Sequence, residues 1–509
     1  MQREQGGPRA SGRTSLVRDP MSRPGAGRQT RRGRHGEGAP DPVLRNSTVD
    51  AGPPSRLDAG EAARIGSNGG DPDGVLFNGA KEGMAGDAGG AAREDAGTDV
   101  SWRHMAGAFR VPEFAWYWGS QLLSGMGTWS QAIAQAWLVM ELSGSQSRAA
   151  VWLGTITMLQ FLPLLIFAPF GGVVADRVSR RRLLVVTQSA ASLQALLLAM
   201  LVYFGAARLW QVGILAFALG TTNAFNNPAQ QAFIPELVGR PLVADAVALN
   251  SVQFNSARMI GGAIGGIAVA AWGISGALLM NAASFVPAIV VLALIRPAYT
   301  VKRSPAKGEA VLAQLRTGFS YAITTVAVRR VVLLFGVASL IGLNWQVVLP
   351  LVARYIVHRQ VTGFGTLMAA FGVGALIAAI LQARDRRVSE QRLVIGGVAL
   401  GVSLMLLGWS HWYLLSLVLV AGGGAASIVV SVTANTRLQL LVPDNLRGRV
   451  MGIYVLLMGG TTPIGSYVLG QVSGGFGPAV GILAFGVATV VAVAAIGFGH
   501  RRPGSVAMP

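Results

Sequence analysis

Long apolar runs alternate with short polar segments over most of the chain. From about residue 114 to residue 498, the runs have the roughly 20 residues that an α-helix needs to cross about 30 Å of hydrocarbon. We therefore predict twelve membrane spans, six on each side of a longer polar stretch at 296–329. The spans lie near 114–141, 150–174, 182–204, 209–233, 247–272, 274–295, 331–353, 362–382, 393–410, 412–434, 449–472 and 478–498.

The basic residues between these runs predict the orientation of the chain, because loops on the cytoplasmic side carry an excess of Lys and Arg. The odd-numbered loops contain only Arg148, Arg208, Arg354 and Arg359. The even-numbered loops contain Arg177, Arg180, Arg181, Arg182, Arg240, the basic run 296–330, Arg384, Arg386, Arg387, Arg392, Arg437, Arg447 and Arg449. The pattern predicts a multi-pass membrane protein with both termini in the cytoplasm.

Residues 1–108 have a different composition, rich in Gly, Pro, Arg, Asp and Ala. Such a segment buries too little apolar surface to offset its ordering entropy, so we predict a disordered basic tail. It lacks the apolar core of a signal peptide. Two interpretations stay open: a cytoplasmic tail that contacts anionic lipid, or a natural start at Met84 or Met105.

An internal repeat supports the division into six spans and six. Arg177-Val178-Ser179 recurs 210 residues later as Arg387-Val388-Ser389. The set Asn227, Gln231, Pro235 and Glu236 recurs 208 residues later as Asn435, Gln439, Pro443 and Asp444. Two homologous halves predict a binding site near the membrane midplane between them. The halves are 109–295 and 331–499, joined by a cytoplasmic loop at 296–330 and followed by a tail at 500–509. Within that loop, the stretch Val311 to Tyr321 is amphipathic, which predicts a helix at the membrane surface.

A signature motif follows the second predicted span. The segment from Gly171 to Arg182 resembles the loop G-x-x-x-D-R-x-G-R-[KR] of the major facilitator superfamily, with Ser179 in place of the second glycine. The matching residues are Gly172, Asp176, Arg177, Arg180 and Arg181. The resemblance implies an all-α membrane protein of two pseudo-symmetric six-helix halves, in which these residues form a latch between helices on the cytoplasmic side. The alternative is that the arginines only anchor the topology. When the two halves are aligned without a gap, Arg386 of the second half occupies the position of Asp176. Asp385 is then the remaining candidate for an acid at the equivalent place.

The fifth span contains a row of glycines. Gly261, Gly265 and Gly266 match the element G-x-x-x-G-P-x-x-G-G of exporters in the superfamily, whereas Ala257 and Gly262 replace its first glycine and its proline. The resemblance implies export. The alternative interpretation is close helix packing, which small residues at this spacing permit in any membrane protein.

Polar residues inside the spans are candidates for a substrate cavity. Arg258 lies deep in the fifth span, where a charge is costly and faces a cavity or a partner. It is predicted to bind an anionic substrate or to tune a proton site, or else to bond backbone carbonyls. The other candidates are Gln121, Gln131, Gln135, Asn223, Asn227, Asn344 and Trp345. Some of these amides are expected to form interhelical hydrogen bonds instead.

Composition excludes several functions. Charged residues make up 13% of the chain, against about 25% in soluble domains. The net charge of +19 lies in the tail and loops, so we predict no nucleic-acid partner. There is no cysteine and no paired histidine, so no metal site is predicted. No cluster of nucleophile, His or carboxylate occurs in the spans, so we predict neither an enzyme nor a cofactor.

Further phrases narrow the resemblance. Trp137-Leu138-Val139, Ile234-Pro235-Glu236-Leu237-Val238 and Phe364-Gly365 are similar to the transmembrane secretion effector branch, which includes enterobactin exporters and macrolide efflux proteins. The resemblance implies a monomer in the lipid bilayer of a bacterial inner membrane. It also implies export of a siderophore or an amphipathic drug-like molecule by alternating access, driven by protons. No acid lies in mid-membrane, so Glu141 is the candidate proton carrier. An importer of a small metabolite and a transport-inactive receptor or scaffold remain alternatives.

Overall fold

The computed structural model describes residues 107–297, 299, 311–384 and 388–498, and within them all regular structure is helical. The predicted disordered tail lies outside the described residues, apart from its last two positions. The helices form two groups, which we call the first half and the second half.

The first half contains five long helices in chain order. They are α1 (Pro112–Ser143), α2 (Gln146–Arg177), α3 (Arg180–Tyr203), α4 (Leu209–Val238) and α5 (Val243–Leu294). Helix α5 is broken at Gly273, whose φ of 70° and ψ of 177° are not helical. We call 243–272 α5a and 274–294 α5b. The first face is the side on which α1 ends and α2 begins, and the second face is the side on which α2 ends.

The linking helix α6 (Val311–Thr324) precedes the second half, and its Gly318 packs on the backbone of Arg449. The second half begins with an interrupted helix. It comprises α7 (Val326–Val337), a π-helical turn at Ala338–Gly342, α8 (Trp345–Leu351) and a second π-helical turn at Val352–Ile356. The remaining helices are α9 (Val361–Arg384), α10 (Glu390–Trp409), α11 (Tyr413–Leu441), α12 (Asp444–Phe476) and α13 (Pro478–Phe498).

Short turns with defined chemistry join these helices. Gly144 takes the left-handed conformation between α1 and α2, with a φ of 68°, which costs a glycine little. The next residue, Ser145, caps α2 by accepting a hydrogen bond from the Arg148 amide. Ser389 caps α10 in the same way through the Arg392 amide, at the equivalent step of the second half.

By length and apolarity, nine helical segments of the described residues can cross a membrane. The segment 240–294 among them contains both arms of α5. Helices α1 and α4 are 32 and 30 residues long but carry more polar residues, and they are not among the nine. The predicted count of twelve therefore stays a prediction, whereas the multi-pass helical architecture is confirmed.

The predicted span at 331–353 corresponds to the membrane-length segment Val326–Ile356 but contains a break, and two other local predictions were wrong. The span at 331–353 is interrupted at Leu343 and Asn344, where the polar side chain interrupts the helical hydrogen bonds. Arg354, predicted in a loop, lies in the second π-helical turn of this broken helix. The signature segment is mostly helical, because α2 continues to Arg177 and α3 resumes at Arg180.

The two halves pack through α2 against α12 and through α5a against α9. Small residues allow backbones to approach closely at both contacts. A Cβ atom on Gly154 would lie 2.9 Å from the Gly470 Cα atom, and one on Gly266 would lie 3.1 Å from the Gly365 Cα atom. All four glycines lie in the parts of their helices nearest the first face. The halves are therefore in tight contact on that side.

Candidate functional site

Arg258 lies at the middle of α5a. Fifteen residues separate it from Val243 and fifteen from Gly273, which is about 22 Å of helix in each direction. Its guanidinium carbon lies 4.9 Å from the ring centre of Trp129 on α1 and 3.9 Å from that of Phe371 on α9. Distances of this kind favour a cation held against aromatic faces. The arginine thus contacts both halves of the protein.

The hydrogen-bonding capacity of Arg258 is not used up. Its Nε atom is buried and has no hydrogen-bond partner among the described residues. An arginine offers five N–H donors in a planar fork that matches carboxylates and phosphates. The side chain is therefore held by ring contacts while at least one donor remains available. This arrangement suits the binding of an anionic group at mid-membrane depth.

The glycines beside Arg258 divide between two neighbours. Cβ atoms on Gly261 and Gly265 would collide with the backbone of α1, at 2.4 Å from the Met126 carbonyl oxygen and 2.7 Å from the Ser130 Cα atom. Gly262 and Gly266 face α9 of the second half instead. The row therefore packs α5a against both halves. This observation agrees with the packing interpretation of the motif and makes no statement about export.

The predicted cavity amides of α1 point into the first half. Gln188 of α3 donates a hydrogen bond to Gln121 over 3.1 Å. Gln131 donates to Gln194 over 3.0 Å and accepts from Asn281 over 2.6 Å. All five side chains are buried. These two glutamines are thus interhelical partners inside one half, the alternative that the sequence left open.

Gln135 is different, because it lies beside a small open recess between α1, α2 and α8. It donates to Gln160 over 3.3 Å. Thr157, Gln160 and Phe161 line the recess from α2, and Gln346 lines it from the second half. Three amide side chains and a hydroxyl therefore surround a space that both halves bound.

The remaining cavity candidates are scattered. Asn223 is half-buried and Asn227 is exposed on α4. Asn344 is buried and donates to the carbonyls of Leu340 and Ile341. Trp345 packs within the second half, where its indole Nε1 donates to Ser427 over 3.0 Å. Trp345 reaches the Arg258 site indirectly, because its ring centre lies 5.0 Å from that of Phe371, whereas the structure shows no contact of the three asparagines with Arg258 among the described residues.

The signature residues gather at the second face. Arg180 pairs with Glu236 of α4 over 2.8 Å, and Arg181 donates to the carbonyls of Leu292 and Ala293. These partners belong to the first half. Arg177 is exposed, and Gly172 has nothing within 4 Å of an added Cβ atom. The side chain of Asp176 and all of Asp385 lie outside the described residues.

Glu141, the predicted proton carrier, lies on an exposed position two residues before the end of α1. Within the described ranges, no three His, Asp or Glu side chains come together in a way that holds a metal ion.

Sequence reasoning missed Gln188, Gln194, Asn281 and Phe371. The first three are single polar residues in apolar helices, and their partners lie 63 to 150 positions away in the chain. One signal was available: polar residues recur along α1 at alternating steps of four and three, which marks a single helix face. Phe371 carries no such signal.

Comparisons with known proteins agree with this architecture. Residues 105–505 match the family model of the transmembrane secretion effectors. The multidrug efflux pump Tap of Mycolicibacterium fortuitum is 26% identical over 69% of this chain and 87% of its own length. The staphyloferrin A transporter of Staphylococcus aureus is 23% identical over 76% and 96%. The enterobactin exporter EntS of Escherichia coli is 25% identical over 59% and 71%.

Solved structures share the fold. The nucleoside transporter NupG superposes with a TM-score of 0.59 at 12% identity, over 74% of this chain and 98% of its own. A D-xylose-proton symporter superposes with a TM-score of 0.58 at 16% identity, over 74% and 96%. The family model covers most of the chain, so this protein belongs to the transmembrane secretion effector family of major facilitator transporters.

Proposed function

We propose that this protein is a proton-coupled exporter, which moves a siderophore or an amphipathic drug-like molecule that carries an anionic group by alternating access. The observation that carries the proposal is Arg258, held between Trp129 of the first half and Phe371 of the second. An anion bound there is paired with the guanidinium, and a flat ring can stack on the same aromatic side chains. Relatives named as efflux and siderophore proteins support export.

The packing of the halves supports the alternating-access part. Their close glycine contacts lie toward the first face, which the arginine distribution predicts to be extracytoplasmic. In this orientation the structure is a state closed to the outside. Export then requires these contacts to separate after the substrate has bound from the cytoplasmic side.

A latch at the second face completes the proposal. Asp176, Arg177, Arg180 and Arg181 hold the opposite state, in which the second face is closed, and Gly172 leaves room for the approach of α12. Asp176→Asn is expected to abolish transport while the protein still inserts at the wild-type level. Wild-type efflux rates from this variant would contradict the assignment of Asp176 to the latch.

The function itself is tested by efflux from a deletion strain. Cells or inverted vesicles receive siderophores, macrolides and cationic dyes, with and without a protonophore. Export that collapses with the protonophore supports a proton-coupled exporter. Movement toward the cytoplasmic side, which is uptake into cells or release from inverted vesicles, supports the importer. Absence of any movement, in correctly inserted protein, supports the transport-inactive alternative.

The substrate site is tested by Arg258→Gln. We expect at least a tenfold loss of affinity for an anionic substrate, since a charge-assisted hydrogen bond contributes roughly 1.5–3 kcal/mol. The matched control is Arg359→Gln, because the Arg359 guanidinium also lies on a ring, 4.7 Å from the centre of Tyr413, but away from α5a. Equal losses in the two variants would contradict the assignment of Arg258.

A further inference from the structure

One face of α1 is polar from Tyr117 to Gln135, over 19 of the 32 residues of the helix. Tyr117, Gln121, Ser124, Thr128, Gln131 and Gln135 recur at steps of four, three, four, three and four residues. Side chains at these steps lie on one face of a helix. We call this set the α1 stripe. From Tyr117 to Gln135 it covers 18 residue steps, about 27 Å at 1.5 Å per step, which is close to the thickness of the hydrocarbon core.

The α1 stripe is covered by other helices of the first half. Gln188 of α3 bonds to Gln121 of the stripe. Gln194 of α3 and Asn281 of α5b both bond to Gln131. Gln160 of α2 bonds to it at the recess. Gly127 permits this approach, since a Cβ atom there would lie 2.6 Å from the Asn281 side-chain oxygen. Five of the six side chains of the α1 stripe are therefore buried in protein, and Thr128 is half-buried.

Several atoms along the α1 stripe are buried without a hydrogen-bond partner among the described residues. They are the Tyr117 hydroxyl, the Nε2 atoms of Gln121 and Gln194, and the Oε1 atom of Gln188. Tyr117 lies beside the amides of Gln121 and Gln230. Buried donors and acceptors in native proteins nearly always have a partner, and ordered water supplies it where protein does not. Both donors and acceptors are available here, as a bridging water requires.

The two ends of the α1 stripe reach opposite faces. Toward the first face, Gln135 lines the recess, and Glu141 lies six residues farther along α1. Toward the second face, Tyr117 contacts the Phe233 ring, with centres 5.5 Å apart, one helical turn before Glu236. Glu236 neutralises Arg180 there. A proton that arrives at this end therefore lies near an arginine whose charge Glu236 already balances.

We propose that the α1 stripe binds a file of ordered water molecules, and that this file conducts the coupling proton between the recess and the second face. This inference rests on the proposed proton-coupled export. The proton enters from water in the recess lined by Gln135, passes from water to water, and leaves to solvent near Glu236. The amides orient the waters by hydrogen bonds and stay neutral throughout. A mid-membrane carboxylate is then not required for proton movement.

The recess gives the path a gate. Gln346 belongs to the second half, whereas Gln135, Thr157 and Gln160 belong to the first. When the halves rock, this wall of the recess moves relative to the others, so the entrance opens or closes with the transport cycle. The path through the first half is thereby linked to the conformational state rather than being a permanent leak.

Radiolytic hydroxyl-radical labelling of the purified protein in lipid nanodiscs tests the water file without any substrate. Radicals form from water, so a buried side chain is labelled only where water is bound beside it. We expect Tyr117 to be labelled at least about tenfold faster than Phe335, since both are fully buried but only Tyr117 adjoins unpaired polar atoms. Equal, slow labelling of the two residues would overturn the proposal.

Proton movement tests the role of the file. In vesicles with an internal pH dye, Gln131→Leu is expected to reduce substrate-linked proton flux at least about tenfold, because an apolar side chain breaks the file. The matched pair is Thr128→Val and Thr489→Val. Both hydroxyls bond the carbonyl four residues earlier, but only Thr128 lies on the α1 stripe. Only Thr128→Val should slow the flux.

The results separate the two proposals. Fast labelling of Tyr117 in a protein that exports nothing would support the water file and contradict the proposed export function. Normal proton flux in Gln131→Leu, in a protein that does export, would overturn the proton path and leave the exporter standing.

Discussion

The first helix of each half handles its polar residues in opposite ways. Helix α1 runs 32 residues without interruption, and its amides bond to neighbouring helices. Its counterpart in the second half is broken between two π-helical turns, and Asn344 bonds to the Leu340 and Ile341 carbonyls of its own helix. A break frees backbone carbonyls that must find donors in a membrane. The second half therefore uses its amide to stabilise an irregular backbone, and the first half uses amides between helices.

The charged contacts at the second face show a similar reversal. In the first half an arginine at the start of α3 pairs with an acid at the end of α4, Arg180 with Glu236. In the second half the acid comes first: Glu390 at the start of α10 lies 3.9 Å from Arg437 near the end of α11, and 3.6 Å from Arg330. Each half thus ties its third helix to its fourth with the opposite polarity.

The largest expected effect comes from the contact between halves. Gly266→Leu adds a side chain where a Cβ atom already lies 3.0 Å from the Val361 carbonyl oxygen. We expect transport to fall to background while the protein inserts normally, because the first face can no longer close. Gly119→Leu is the control, since nothing lies within 4 Å of its added Cβ atom. Efflux assays of both variants decide; loss in Gly119→Leu as well would indicate general misfolding.

The second effect concerns the broken helix. Asn344→Ala leaves two carbonyls and the Ser466 hydroxyl without their partner. We expect a loss of about 2–4 kcal/mol in stability, the cost of several unsatisfied buried groups. Thermal unfolding in detergent measures it. Gln121→Ala should cost less, because its Nε2 atom is already unpaired. A larger loss in Gln121→Ala would reverse the comparison between the two helices.

A smaller effect is expected at the charged pair of the first half. Arg180→Glu should destabilise the protein by about 1 kcal/mol, and adding Glu236→Arg should restore part of it. Recovery is incomplete because Arg180 also donates to the Ala232 carbonyl. Unfolding midpoints of the two single variants and the double variant form a complete cycle. Additive losses would show that the two charges do not interact.

The smallest effect is expected at the reversed pair. Glu390→Gln should change stability by less than about 0.5 kcal/mol, since its two arginines are more distant and its side chain is partly exposed. The same unfolding assay applies. A loss as large as that from Arg180→Glu would mean that the two halves rely equally on these contacts.

Apolar periodicity predicts the helices well, and where a helix is uninterrupted the bounds agree closely. The last predicted span, 478–498, coincides with α13. The break at Asn344 was not predictable, because its support comes from Ser466, 122 positions away on α12. An asparagine in an apolar run looks the same whether it lines a cavity or caps its own helix.

The candidate site shows the same limit. The depth of Arg258 follows from the apolar run around it, but Trp129 and Phe371 reach it only through the packing of three helices. Likewise, the spacing of Gln121, Gln131 and Gln135 marks one face of α1, whereas the choice between cavity and interior depends on α3 and α5b. The spacing of polar residues in the sequence identifies the polar face of a helix. Whether that face lines a cavity or packs on another helix depends on residues that are distant in the sequence.

The glycine contacts between the halves have a consequence for how the two ends of the transporter respond to solution conditions. Backbone lies against backbone at Gly154 and Gly266, so closure of the first face depends on shape and is indifferent to ionic strength. The second face carries ion pairs and exposed arginines, which dissolved salt screens over about 8–10 Å. Raising the salt concentration is therefore expected to weaken the ion pairs within each half at the second face and to leave the glycine contacts between the halves unchanged.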